Sequence, residues 1–193
     1  MTPKMKVAFT RQRLAKRVSE MGRAISRDYA GRTIDVVVML ENSFLFAADL
    51  VRQISRPVVC HFVRSHMRDV RMGGYERREI FFSAPPTIRG RDVLVMDAVL
   101  NTGVTQDFLM KRVEEGRPRS LRLAVLFDKP EARKVDLKPA YTGFAAASKE
   151  WVGYGLSSQR GLDRNLPYVA VKGKRSRSGG RRRKPGARRV SRG

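Results

Sequence analysis

The chain has 193 residues, 41 % of them hydrophobic, which is enough for one domain with a real core. It carries 41 lysines and arginines against 18 acids, a formal charge of +23, so it attracts polyanions at long range. No apolar run approaches the roughly 18 residues that span a membrane, the first residues lack the apolar stretch of a secretory signal, and the lone Cys60 excludes an internal disulfide; a cytoplasmic location is the expectation.

In chain order, Thr10 stands where a helix N-cap belongs. Leu14, Val18, Met21, Ile25 and Tyr29 follow at helical spacing, and Gly31 stops the run. Arg11, Arg13, Lys16, Arg17 and Arg23 fall on the other side, as a solvated face. Ile34–Leu40 reads as a buried strand, 43–54 as a helix, and 57–63 as a second strand with Cys60 as a small core residue. Residues 64–79 show no apolar period, and Gly73-Gly74 marks a mobile loop. Its Arg64, Arg68, Arg71, Arg77 and Arg78 suit either a lid for phosphates or an RNA-facing arm. Ile80-Phe-Phe82 returns to the sheet, and Pro85-Pro86 ends it.

Val93-Leu-Val-Met96 is a strand buried on both faces. It breaks at Asn101-Thr-Gly-Val-Thr105 and resumes as a helix with Phe108, Leu109 and Val113 at helical spacing. Such a turn aims backbone N–H groups and a helix dipole at one spot, which suits a phosphate; an ordinary strand-turn-helix corner is the other reading. A further core strand spans 121–127. Strands alternating with helices give an α/β fold with a mostly parallel sheet, ligands gathering at the carboxyl ends of the strands. The loops after Leu40 and Met96 are therefore expected to face one another across a site.

Residues 1–171 form the domain and 172–193 a tail with 11 basic residues, no acids and almost no apolar content, disordered when alone. Lys174, Arg175, Arg177, Arg181, Arg182, Arg183, Lys184, Arg188 and Arg189 make it a candidate RNA- or DNA-binding arm, a solubility tail being the alternative. It has no aromatic residue to stack on bases, so little sequence specificity is expected of it.

Val93-Leu-Val-Met-Asp-Ala-Val-Leu-Asn-Thr-Gly-Val-Thr105 resembles the phosphoribosyl pyrophosphate loop of type I phosphoribosyltransferases. Trp151-Val-Gly-Tyr-Gly-Leu156, followed by Arg164-Asn-Leu-Pro-Tyr168, is similar to the C-terminal signature of the hypoxanthine-guanine branch. The segment from Phe127-Asp-Lys-Pro to Tyr141-Thr-Gly-Phe144 resembles that branch's purine-site segment. The three stand in family order, so the resemblance covers roughly residues 7 to 172. It implies the type I phosphoribosyltransferase fold, with residues 141–144 and 151–154 in a small hood over the base, and a dimer or tetramer.

The resemblance also assigns roles. Thr102, Gly103, Val104 and Thr105 cradle a 5′-phosphate, with Asn101 at the mouth. Lys138 matches the lysine that meets the exocyclic oxygen of a 6-oxopurine, a contact that an ammonium makes and a 6-amino group would refuse. Trp151, beside Val152, either stacks on the base or is a core residue; the family's aromatic falls one position earlier, at Glu150.

The pyrophosphate side departs from the pattern. Where the family has Leu-Lys-Gly-Ser, this chain has Leu40-Glu41-Asn42-Ser43, so Glu41 puts an anion beside an anionic substrate. The two acids for the ribose hydroxyls become Asp97 and Ala98. The proton-handling aspartate becomes Asn101, which accepts no proton near neutral pH, and the aspartate that helps bind Mg²⁺ becomes Ser157. Arg164 matches the pyrophosphate-contacting arginine after a one-residue insertion within 157–163.

The expectation is a divergent relative, catalytically weak or inactive, that binds a 6-oxopurine nucleoside monophosphate and, through its basic surface and tail, nucleic acid. No cofactor is certain, and Mg²⁺ and phosphoribosyl pyrophosphate enter only if transfer survives. One alternative is an active purine-salvage enzyme in which Asp97 and Asp107 partly substitute. The other is a nucleic-acid or ribosome-associated protein with an empty pocket.

Overall fold

The computed structural model describes residues 5–72, 75–82, 87–147, 150–157 and 161–172, with the backbone alone for 66–72, 75–82 and 172. Gly73-Gly74, Pro85-Pro86 and every tail arginine and lysine named above lie outside the described residues.

Three α-helices, one turn of 3-10 helix at Pro130–Ala132 and nine strands are described. The first strand is β1 (Met5–Phe9), and α1 (Arg11–Asp28) follows. Then come β2 (Ile34–Leu40), α2 (Phe44–Gln53), β3 (Val58–Met72), β4 (Tyr75–Phe82), β5 (Asp92–Leu100) and α3 (Val104–Glu114). The last described strands are β6 (Ser120–Asp128), β7 (Tyr141–Ala145), β8 (Trp151–Val152) and β9 (Val169–Lys172). The main sheet has the order β4-β3-β2-β5-β6-β7, parallel throughout except for β4. A small antiparallel sheet, β1-β9-β8, forms the hood.

The pleat explains the two cores. Ile34, Val36 and Val38 of β2 with Leu94 and Met96 of β5 face α1, α2 and the hood, whereas Val37, Met39, Val93 and Val95 face α3. Thr10 caps α1 as expected, its hydroxyl accepting from the Arg13 N–H at 3.3 Å, and Leu14, Val18, Met21 and Ile25 are buried.

Several expectations are corrected. The segment read as a patternless loop continues β3 to Met72 and returns as β4, a hairpin in which Arg68 stands opposite Glu79, Asp69 opposite Arg78 and Arg71 opposite Glu76. Charged residues at these register positions leave no apolar alternation to detect. Tyr141–Ala145 is not part of the hood but the parallel edge strand of the main sheet, and β1 and β9 supply the hood instead. Lys172 belongs to β9, paired with Met5. Cys60 is exposed, because β2 covers only one side of β3 there. Phe108 is 55 % exposed although Leu109 and Val113 are buried, since adjacent residues lie about 100° apart round a helix and Phe108 falls outside the stripe that Leu109 and Val113 share. Two arginines of the α1 face are not simply solvated. Arg17 donates to the Gly143 and Thr142 carbonyls at 2.6 and 2.7 Å, and Arg13 lies over the Phe9 and Phe144 rings.

Candidate functional site

The loops after β2 and β5 meet, as the parallel topology requires. Between them lies a cavity of about 180 Å³ whose lining includes Leu40, Asn42, Asp97, Thr105 and Gln106. Its floor is the buried Asp97 carboxylate. Ser43 Oγ donates to it at 2.7 Å, Gln106 Nε2 at 2.6 Å and the Ala98 N–H at 2.6 Å. One carboxylate thus ties the loop before α2, strand β5 and the first turn of α3. Burial pushes its pKa up, against the pull of the Ser43 and Gln106 bonds. Ser43 precedes α2 but makes no side-chain cap bond, its hydroxyl being used on Asp97. Neither Ser43 nor Gln106 was singled out from the sequence, since nothing local marks residues that meet across 54 or 9 positions.

Gly103 starts α3 in the left-handed region, at φ +82°, and no side chain caps the helix there. A Cβ on Gly103 would lie 2.8 Å from Val135 Cγ2 and 3.0 Å from Arg133 Cδ, so only glycine lets the connection after β6 close over the turn. The Lys134 N–H donates to the Thr102 carbonyl at 2.9 Å, and Arg133 pairs with Asp128. Asn101 is exposed at the mouth, while Thr102, Val104 and Thr105 are half-buried around the free N–H end of the helix. Asp107, on the next position of the turn, pairs with Lys111 at 2.8 Å.

Across the cavity the Leu40–Glu41 peptide is cis. Arg164 donates to Asn42 Oδ1 at 2.7 Å, to the Gly155 carbonyl at 2.6 Å and to Glu41 Oε2 at 3.4 Å, and Arg64 lies 3.3 Å from Glu41 Oε1. The Gly-Tyr-Gly signature explains this approach. Gly155, at φ +88°, has its Cα so near Asn42 that a Cβ would stand 2.7 Å from the Asn42 carbonyl oxygen. Between the glycines, Tyr154 donates its hydroxyl to Asp49 of α2 at 2.6 Å, and burial raises the phenol's pKa. The half-buried Ser157 follows after the buried Leu156.

The donor set on this side does not suit a divalent cation. Both Glu41 oxygens face arginines, Asn42 Oδ1 is taken by Arg164, and Ser157 supplies a neutral hydroxyl where Mg²⁺ favours carboxylates. Among the described residues no three His, Cys, Asp or Glu side chains gather.

On the hood, Trp151 is 9 % exposed and packs as a core residue. Its ring meets Phe127 at 4.6 Å and Phe9 edge-on at 5.7 Å, with the Lys129 ammonium 4.8 Å over it. Burial lowers the pKa of Lys129. Val152 is buried beside Trp151, and β8 is an outer strand of the hood sheet, so one line of its backbone groups is left outside the pairing. Lys138 is exposed on the connection before β7. Among the described residues no helix is long and apolar enough to cross a membrane.

The comparisons with known proteins agree with this geometry. Residues 8–159 match the phosphoribosyl transferase domain. The hypoxanthine-guanine phosphoribosyltransferase of Dictyostelium discoideum is 35 % identical over 169 residues, 84 % of this chain and 92 % of the relative. That of Lactococcus lactis is 30 % identical over 170 residues, 86 % of this chain and 90 % of the relative. A crystal structure of a hypoxanthine-guanine phosphoribosyltransferase from Bacillus anthracis superimposes with a TM-score of 0.79 at 32 % identity, covering 89 % of this chain and 99 % of that one. Similarity that spans both loops of the pocket and nearly all of each partner has one reading: the chain belongs to the type I phosphoribosyltransferase family, in its hypoxanthine-guanine branch.

Proposed function

We propose that this family member holds a finished 6-oxopurine mononucleotide and transfers phosphoribosyl groups weakly or not at all. The observation that carries the reading is the Glu41 carboxylate set against Arg64 and Arg164, where a cationic loop would be needed for pyrophosphate. An incoming pyrophosphate has to displace a carboxylate already paired with the two arginines and then sit beside it. Asn101 compounds the loss, since an amide accepts no proton from the purine, and loss of a general base alone costs about 10²–10⁴ in rate.

In this reading the 5′-phosphate rests on Thr102, Gly103, Val104 and Thr105 at the N-terminus of α3. The purine lies between Lys138 and the outer backbone of Trp151 and Val152, with O6 toward the ammonium. Asp97 braces the pocket, and any bond it makes to a ribose hydroxyl is shared with Ser43, Gln106 and the Ala98 N–H. Nucleic acid is the second ligand, drawn by the +23 charge. Both ligands are found in the cytoplasm, and a dimer or tetramer is expected. Active purine salvage remains the rival, favoured by the retained Arg164 and the 35 % identity to an enzyme of that name.

The test is calorimetric titration with guanosine monophosphate and with Mg-phosphoribosyl pyrophosphate, beside a transfer assay on the same preparation. The expected result is nucleotide binding that Lys138→Ala weakens, poor pyrophosphate binding that Glu41→Lys improves, and slow turnover that Asn101→Asp raises at least tenfold. Wild-type turnover of hypoxanthine or guanine at an ordinary enzymatic rate, about 1–10³ s⁻¹, establishes the salvage enzyme instead. If no nucleotide binds, the pocket is empty and the protein is a nucleic-acid binder alone.

A further inference from the structure

The starts of parallel strands share one edge of a sheet, and here that edge lies opposite the pocket. The connections 87–91 and 115–119, which enter β5 and β6, are stitched together on it: the Gly90 N–H donates to the Arg117 carbonyl at 2.9 Å, and the Arg119 N–H to the Arg91 carbonyl at 2.8 Å. Their four arginines, Arg89, Arg91, Arg117 and Arg119, are all exposed. Arg32, from the turn after α1, joins them 3.5 Å from Asp92.

The counter-charges lie beneath. Asp35 and Asp92, with side chains 3 % and 0 % exposed, sit near the starts of β2 and β5. Asp35 accepts Arg91 Nε at 2.8 Å, and Asp92 accepts Arg119 Nε at 3.1 Å. The guanidinium planes are thereby oriented from within while roughly half of each arginine side chain, 49 % for Arg91 and 58 % for Arg119, stays in solvent. Glu114, the last residue of α3, and Glu115, the first of the connection, are the exposed acids beside it, and Glu115 is held by Arg112 at 2.5 Å.

We propose that this edge is a phosphate-backbone docking face through which the folded body, apart from its tail, binds nucleic acid. The inference rests on the nucleic-acid reading above and says where on the fold it acts. Pre-oriented guanidinium forks match phosphate oxygens, and neither loop carries an aromatic residue to stack on a base, so the grip is independent of sequence.

The experiment measures the affinity of the full-length chain for a labelled single-stranded RNA across a salt series, with duplex RNA, duplex DNA and phosphatidylserine vesicles as further probes. Arg89→Gln with Arg117→Gly removes two cations without touching Asp35 or Asp92, and glycine suits the φ of +53° at Arg117. Two lost contacts make the log–log salt slope shallower by about 1.4 on RNA and lower the affinity roughly 25-fold at 0.1 M salt, with the melting temperature unchanged. Should the double variant fold poorly, Arg89→Gln alone gives about half that change in slope. A wild-type slope in the variants overturns the edge while leaving nucleic-acid binding to the tail. A wild type that binds none of the nucleic acids overturns both readings, and variant-sensitive binding to vesicles alone makes the face a membrane contact and overturns this proposal.

Discussion

Asp97 and Asp92 are both buried acids in β5, yet they answer to opposite forces. Asp97 is surrounded by neutral donors, so burial dominates and raises its pKa. Removing the carboxylate takes the acceptor from the Ser43 hydroxyl, while the Ala98 N–H keeps Ser43 Oγ at 2.9 Å and Gln106 Nε2 keeps the Val99 carbonyl at 3.3 Å, and a buried donor left unsatisfied costs about 1–3 kcal/mol. Asp97→Ala is therefore expected to lower stability by about 1–3 kcal/mol, read from the urea midpoint. At Asp92 the bond from Arg119 holds the pKa below the usual value, helped by Ser120 Oγ at 2.6 Å and opposed by burial. A depressed folded pKa means that the native state binds a proton less readily than the unfolded chain. Its stabilisation is complete above the unfolded pKa of about 3.9 and is lost as pH falls through the lower folded value. Urea midpoints taken from pH 6 down to pH 3 should therefore fall less steeply for Asp92→Asn than for wild type, with the variant less stable at pH 6.

The Gly-Tyr-Gly turn of the hood region does at the level of an element what Asp97 does for a side chain: it sets the distance between two parts of the site. Gly31 and Gly155 both have positive φ, +70° and +88°, but a Cβ on Gly31 would meet nothing within 4 Å. Gly31→Ala thus reports the left-handed strain alone, about 1 kcal/mol. Gly155→Ala adds the 2.7 Å clash with the Asn42 carbonyl, and the expected loss is larger, about 2–4 kcal/mol, measured by thermal melting of the pair. The glycines were visible in the sequence as a family signature, but their reason, a backbone pressed against a loop more than a hundred residues away, was not. The same limit applies elsewhere. Strands β2 and β5 were legible as continuous apolar runs buried on both faces, and helix α1 by the helical spacing of its buried residues. The β3–β4 hairpin was not, its sequence being mostly charged and polar at facing register positions, nor were the five-residue β1 and four-residue β9, which are too short to show a period. The phosphate turn was legible from its residue types, and the Ser43–Asp97–Gln106 brace was invisible because hydrogen bonds between distant polar residues leave no local pattern.

At the scale of the molecule, the parallel sheet separates two charged regions. The pocket occupies the edge where the strands end, and the arginine loops occupy the edge where they begin, so a bound mononucleotide and a bound polynucleotide need not compete. The tail adds a third region: its 11 basic residues from Lys172 onward carry no acid. Arms of this kind contribute to affinity through counterion release, about 0.7 units of salt slope for each phosphate met on a single strand. Because Lys172 is paired in β9, a truncation that spares the hood ends there, removing residues 173–193. Such a truncation should flatten the salt dependence of RNA binding by several units and still leave a residual slope of at least about 1.4, the share of Arg89 and Arg117 on the folded body. A slope of zero after truncation would mean that the tail alone meets RNA. An unchanged slope would mean that the tail meets none, and the charge of the body would then have to account for all of it.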